Sequence, residues 1–250
     1  MLQTSDLIIP DWPAPECIKS FFTTRSGGVS SPPYSSMNLG MHVGDAVASV
    51  VENRRRLREL LPAEPAWLNQ VHGVNVLSIE PSDTCGSAAV TADASVTSHT
   101  NLPCAVLVAD CLPVLFCAND GSRVAAAHAG WRGLHAGVLE RTVESMRINP
   151  ASIVVWLGPA IGPSAFEVGQ EVLDAFAAVA DEDASAFSPL AGRPGKFIAD
   201  IHALARARLY RAGIQAIFGG ECCTVSEPQQ FFSYRRDGVT GRMAALIWRE

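Results

Sequence analysis

Three short segments concentrate side chains that can do chemistry: Asn69-Gln70-Val71-His72-Gly73, Ala109-Asp110-Cys111-Leu112-Pro113 and Ala127-His128-Ala129-Gly130-Trp131-Arg132-Gly133. Cys111 follows His72 by 39 positions, and His128 follows Cys111 by 17. Gaps of that size suit three separate sheet edges converging in space, not one local metal finger. Two imidazoles and a thiolate form a three-ligand zinc set that leaves the fourth tetrahedral position open for water or substrate, as catalytic sites do. Gly73 and Gly130 permit close backbone approach beside each histidine. Spacing alone leaves other readings open. A lone Cys in an apolar strand is usually a small buried hydrophobe, and a lone His after a strand is usually a satisfied polar residue. Cys111 can also act as a nucleophile activated by His128, with no metal.

The elements that must position these residues are mostly strands. Apolar runs predict strands at Ile18–Thr24, Val74–Ile79, Cys104–Ala109, Val114–Ala118, Val124–Ala127, Ile153–Leu157, Ile214–Phe218, Phe231–Tyr234 and Met243–Trp248. Several are continuous, as expected for strands buried on both faces. Pro113 is expected to end regular pairing and leave Cys111 at a strand terminus, with Asp110 and Cys111 on opposite faces. Helical spacing marks 47–61, and Asp200 caps a clean helical pattern that Gly213 closes. Weaker helical patterns cover 133–146 and 170–180. Strands and helices mix without strict alternation. That favours an α+β layered fold with mixed β-sheets over a doubly wound sheet or a barrel.

Composition narrows the partners. The chain has 250 residues, 48% of them apolar, which is enough for one substantial core, so a single catalytic domain over 1–250 is the default. The net charge of −6 and the lack of clustered Lys and Arg exclude nucleic acid as a main partner. The one basic run, Arg54-Arg55-Arg56, reads as a solvated helix face. No apolar run reaches the roughly 20 residues of a membrane helix. Seven cysteines cannot all pair internally, and the start of the chain lacks a basic leader. Reduced thiols and a cytoplasmic protein, monomeric or a small homo-oligomer, are therefore expected. Dinucleotide, Walker, H-E-x-x-H, G-x-S-x-G and nucleobase-deaminase motifs are all absent.

Taken together and in order, the motifs resemble the YfiH-like family, also called the multicopper polyphenol oxidoreductase or laccase-domain family. The resemblance runs through 24–30, Asn38-Leu39-Gly40, His42-Val43-Gly44-Asp45 and the three segments above. It continues through 158–162, Phe166-Glu167-Val168-Gly169 and 231–237. It implies a layered fold of cysteine-hydrolase type, with His72, Cys111 and His128 as zinc ligands. It further implies phosphorolysis of adenosine, inosine and methylthioadenosine and deamination of adenosine. Polyphenol oxidation and editing of peptidoglycan precursors by amide hydrolysis are the alternatives described for the family.

A full laccase fails a count of ligands. Six histidines, without an H-x-H pair, cannot build a blue-copper centre plus a three-copper cluster. One Cu2+ can still compete with Zn2+ for the His72–Cys111–His128 set. For nucleoside chemistry, Arg25 and Arg132 are forked, permanently charged partners for phosphate or a developing oxyanion. Gln70 is expected either to orient substrate or to satisfy loop backbone. Asp110 is a candidate to hold a ligand imidazole. Trp131 is expected to pack beside the site, and Tyr234, Arg235 and Arg236 to line the pocket or form a solvated edge. Cys222 and Cys223 are expected to be reduced.

Overall fold

The computed structural model describes residues 2–84 and 89–250. Its strands are β1 (Leu7–Ile8), β2 (Ile18–Thr23), β3 (Val76–Ser78), β4 (Ala94–Thr97), β5 (Cys104–Val108), β6 (Leu112–Ala118), β7 (Val124–Ala129), β8 (Ile153–Leu157), β9 (Glu167–Gly169), β10 (Phe187–Pro189), β11 (Lys196–Ala199), β12 (Ala216–Gly219) and β13 (Met243–Arg249). Its α-helices are α1 (Val47–Arg58), α2 (Trp131–Ala136), α3 (Val138–Met146), α4 (Gln170–Ala177), α5 (Ile201–Arg211) and α6 (Tyr234–Asp237).

The strands form three sheets. A six-stranded mixed sheet has the order β12-β8-β6-β7-β4-β3, a four-stranded antiparallel sheet runs β1-β2-β13-β5, and a small antiparallel sheet runs β10-β11-β9. Only β12–β8 and β3–β4 pair in parallel within the large sheet. The fold is α+β with mixed sheets, as the sequence predicted.

Alternation along the strands sets the layers. On β6, Leu115 and Cys117 face the four-stranded sheet, where they meet Val106 and Val108 of β5 and Ala245 and Ile247 of β13. The intervening Val114 and Phe116 face the opposite way, onto Leu139 and Val143 of α3 and Leu204 and Leu209 of α5. On the outer side of the four-stranded sheet, Leu107, Ala244 and Leu246 pack on Leu57 of α1. Every residue of β5 and β6 is buried, because both faces of each strand are covered. That explains the continuous apolar runs.

Four expectations change. Phe231–Tyr234 is not a strand: Phe231 and Phe232 are fully buried anchors, and the Ser233 side chain accepts from Arg236 N–H to cap α6. The helix predicted over 133–146 starts earlier, at Trp131, and is split by Gly137 at φ 100°, a backbone state glycine adopts without strain. Pro113 does not end pairing. It is the second residue of β6, registered opposite His128, and a strand's first positions tolerate a missing N–H. The short strands β1, β4, β9, β10 and β11 were not legible, being brief or having weak or polar patterns. Six cysteines are free thiols; Cys85 lies outside the described residues. Among the described residues no helix is long and apolar enough to cross a membrane.

Candidate metal centre and active-site cavity

His72, Cys111 and His128 converge from three places. His72 lies in the loop before β3, Cys111 in the turn between β5 and β6, and His128 near the end of β7. One ligand atom from each lies within 4.8 Å of the others, and Cys111 Sγ is 3.6 Å from a His72 ring nitrogen, Nε2. Ligand atoms on one zinc ion stand roughly 3.3–3.8 Å apart at bond lengths of about 2.0–2.3 Å. The donor set fits a single metal ion, and the Cys111–His72 separation of 3.6 Å falls within that range. Gly130 clears the space: a Cβ there would stand 2.6 Å from His72 Cδ2 and 2.9 Å from Cys111 Sγ.

Asp93, just before β4, organises the group. Its carboxylate accepts from His128 Nδ1 at 2.9 Å and from the backbone N–H groups of Val71, His72 and Gly73. One fully buried carboxylate thus orients one ligand ring and shapes the loop that presents the other, holding His72 at φ 61°. Asp110 does not play this part. At φ 81° it turns its carboxylate away from Cys111, accepting from Thr224 Oγ1 and from Arg235 N–H at the start of α6. The sequence reading missed Asp93. The available signal was its isolation, since it is the only acid between Asp83 and Asp110.

The charges follow from these contacts. Burial pushes the Asp93 carboxyl up, but its hydrogen bonds from His128 and the Gly73 N–H hold it below its ordinary range. Burial also raises the Cys111 thiol, yet the charge and hydrogen bonds of His128 and His72 outweigh it and bring the thiol down to about 6. Burial lowers His128, and the thiolate and Asp93 outweigh that too, raising it to about 9. Without metal, both shifts favour a thiolate beside an imidazolium.

These three side chains line a cavity of about 550 Å³. Leu68, Trp131, Ile161 and Phe166 give it apolar wall, Arg132, Arg235 and Arg242 give it cationic wall, and His42 adds a polar edge. Arg132, on the exposed face of α2, lies 4.5 Å over the Trp131 ring and has no hydrogen bond or ion pair among the described residues. Arg235 lies near Phe166 and gives one N–H to the Glu167 carbonyl.

Two predicted site residues are committed elsewhere. Gln70 lines the cavity, but its amide both donates to the Leu107 carbonyl and accepts from the Leu107 N–H, both at 2.8 Å. It pairs β5 backbone. Arg25 lies outside the cavity: its guanidinium donates to the carbonyls of Ser35 and Pro228 and stacks on Phe232. Arg236 is likewise structural, bonded to the carbonyls of Thr224, Val225 and Phe231. His42, Arg242 and Thr224 were not singled out from the sequence for any of these roles.

The family model described as multi-copper polyphenol oxidoreductase laccase matches residues 19–250. The chain belongs to this family. It is 54% identical over 241 residues to a purine nucleoside phosphorylase of Pseudomonas aeruginosa, covering 96% of this chain and 97% of that one. It is also 54% identical over 248 residues to the purine nucleoside phosphorylase YfiH of Escherichia coli, covering 98% and 99%. Among solved structures, a Neisseria meningitidis protein superimposes with a TM-score of 0.94 at 49% identity, covering 98% of this chain and 99% of that one. YlmD from Geobacillus stearothermophilus superimposes with a TM-score of 0.89 at 33% identity, covering 100% and 98%. The family's fold therefore extends over the whole described chain.

Proposed function

We propose that the chain is a metal-dependent purine nucleoside phosphorylase, acting on adenosine, inosine and methylthioadenosine, with deamination of adenosine as a second outcome in the same cavity. The observation that carries this reading is the placement of a metal-fitting His/Cys/His set in one cavity with apolar wall and arginines that form no ion pair among the described residues. The relatives named purine nucleoside phosphorylase supply the substrate class.

His72, Cys111 and His128 would hold the ion, with zinc the best match to two imidazoles and a thiolate. When bound, it supplies Lewis acidity at an open fourth position. Arg132 and Arg235 bind phosphate, because a guanidinium presents a fork of donors matched to its oxygens. Trp131, Ile161 and Phe166 bury the purine faces and exclude water. In the reaction a phosphate oxygen forms a bond to C1′ of the ribose as the C1′–N9 bond breaks. The purine leaves with that electron pair and takes up the proton that phosphate gives up. Asp93 keeps His128 and the His72 loop in place throughout.

The test combines metal content with turnover of adenosine, with and without phosphate, for the wild type and His72→Ala. The expected result is about one zinc per chain, adenine and ribose 1-phosphate formed only with phosphate, and both metal and activity lost in the variant. Metal-free protein that still turns over adenosine would overturn the metal dependence and favour a Cys111–His128 nucleophilic pair. Bound metal without nucleoside turnover would overturn the substrate.

A further inference from the structure

The cavity has a second cationic corner that the reaction above leaves unused. Arg242, just before β13, donates its N–H to Asn38 Oδ1 at 2.9 Å and accepts from the Leu39 N–H through its carbonyl. Asn38 is fully buried and also bonds both backbone groups of Gly40 and the Asp45 carboxylate. It thereby ties Arg242 to the loop that carries His42. At Gly40 a Cβ would stand 2.8 Å from Arg242 Cγ, so the bare backbone there lets the arginine stem lie flat.

The Arg242 guanidinium donates only through Nη1, to the carbonyls of Thr240 and Gly241. Among the described residues it has no carboxylate partner, and Nε and Nη2 have no acceptor. His42 stands at the rim and Arg54 behind it, its guanidinium 4.0 Å over Trp67 and also without an ion pair there. Burial, then the charges of Arg242 and Arg54, hold His42 below its ordinary range. Arg242 feels the charges of Cys111 and Asp110 but forms no direct ion pair among the described residues, so its free donors can take an anionic ligand.

It is distinct from Arg132 of the proposed phosphate-binding pair, while Arg235, the other member, follows Tyr234, whose ring lies 6.0 Å from the Arg242 guanidinium. Arg132 stands on α2, which follows β7 of the six-stranded sheet, whereas Arg242 precedes β13 of the four-stranded sheet. Guanidinium groups from two different layers suit two anions at once, the phosphate of the proposed reaction and a second one carried by the nucleoside. We infer that the His42–Arg242 corner is a second oxyanion subsite, and that it takes the 5′-phosphate of a nucleoside monophosphate. The inference rests on the nucleoside reading for the body of the ligand, and a cavity of about 550 Å³ has room for one nucleotide.

The experiment compares equilibrium binding of adenosine 5′-monophosphate and adenosine by calorimetry, in the wild type, Arg242→Met and His42→Ala. Thermal melting checks that each variant is folded. The nucleotide is expected to bind about tenfold tighter or more, as one charge-assisted hydrogen bond provides. That ratio falls towards one in Arg242→Met and drops partway in His42→Ala, and it shrinks with added salt. A wild-type ratio near one, or a ratio unchanged in the variants, would overturn the subsite; if Arg242→Met does not fold, His42→Ala decides. Repeating the comparison in saturating sulfate, an unreactive stand-in for inorganic phosphate, identifies the source of the anion. A persisting nucleotide preference assigns the corner to the 5′-phosphate, and its abolition overturns that assignment in favour of free phosphate. Failure of the proposed reaction is read separately: binding of both ligands without turnover removes the phosphorylase and leaves the affinity ratio intact.

Discussion

The consecutive strands β5 and β6, which lie in different sheets, carry the same side chain in two settings. At the ends far from the turn that joins them, Cys104 and Cys117 are fully buried between the two larger sheets, and burial pushes both thiols up to about 12. At the turn, Cys111 also loses solvent, yet its thiol stands at about 6. The difference is the company. Two imidazoles face Cys111, one of them fixed by Asp93, whereas only weak polar contacts, or another thiol, reach the other two. Low-dielectric surroundings raise a thiol or strengthen its attraction to a cation, according to whether a cation is present. The two strands thus have a packing end and a chemical end built from one residue type.

The sharpest way to break the contrast is to remove what fixes the cation. Asp93→Asn leaves one oxygen for four donors and places an NH2 against backbone N–H groups. It is expected to lower stability by about 3 kcal/mol and to weaken metal binding about 10–100-fold, measured by denaturant melts and chelator competition. Unchanged values in both assays would make Asp93 a bystander. A smaller effect is expected from Gly130→Ala. Its φ of −64° accepts alanine, but the new Cβ displaces His72 and Cys111, so metal affinity falls at least about tenfold while the circular dichroism spectrum holds. Retained affinity would show that the ligands can retreat without penalty.

The smallest effect is predicted for stability against pH, and it sharpens the contrast most. In metal-free protein, alkylation of Cys111 should rise as pH passes up through about 6, while Cys104 and Cys117 stay unmodified until unfolding. Taken alone, the lowered thiol would stabilise the fold above its ordinary 9.0 and lose that contribution as pH falls through about 6. The raised His128 would stabilise below its ordinary 6.5 and lose that contribution as pH rises through about 9. The two nearly cancel, because the proton leaving Cys111 is the one His128 keeps. The folded pair titrates near 6 and 9, and the unfolded groups near 6.5 and 9.0. Thermal melts of metal-free protein should therefore be flat from pH 6 to 9, apart from the contribution of groups elsewhere. A steep slope that disappears in Cys111→Ala would show that the proton is not shared.

Much of this was present in the residue order. Continuous apolar runs at 104–109 and 153–157 read as strands covered on both faces, and they are. Asp200 and Gly213 bracketed α5 because capping is local chemistry, decided within one helical turn. His72, Cys111 and His128 stood out because each adjoins a glycine or a strand end.

What the sequence could not decide is which polar groups are left free. Gln70, Arg25 and Asp110 carry the right functional groups, but the backbone of Leu107, the carbonyls of Ser35 and Pro228, and Thr224 with the Arg235 N–H consume them. Those partners lie 10 to 203 residues away in the chain. Asp93 and Arg242 gain their roles in the same way, from long-range contacts that no local pattern encodes. Local sequence fixes conformational preference and the supply of donors and acceptors. Only the packed layers determine which of them are satisfied by protein and which remain to meet a ligand.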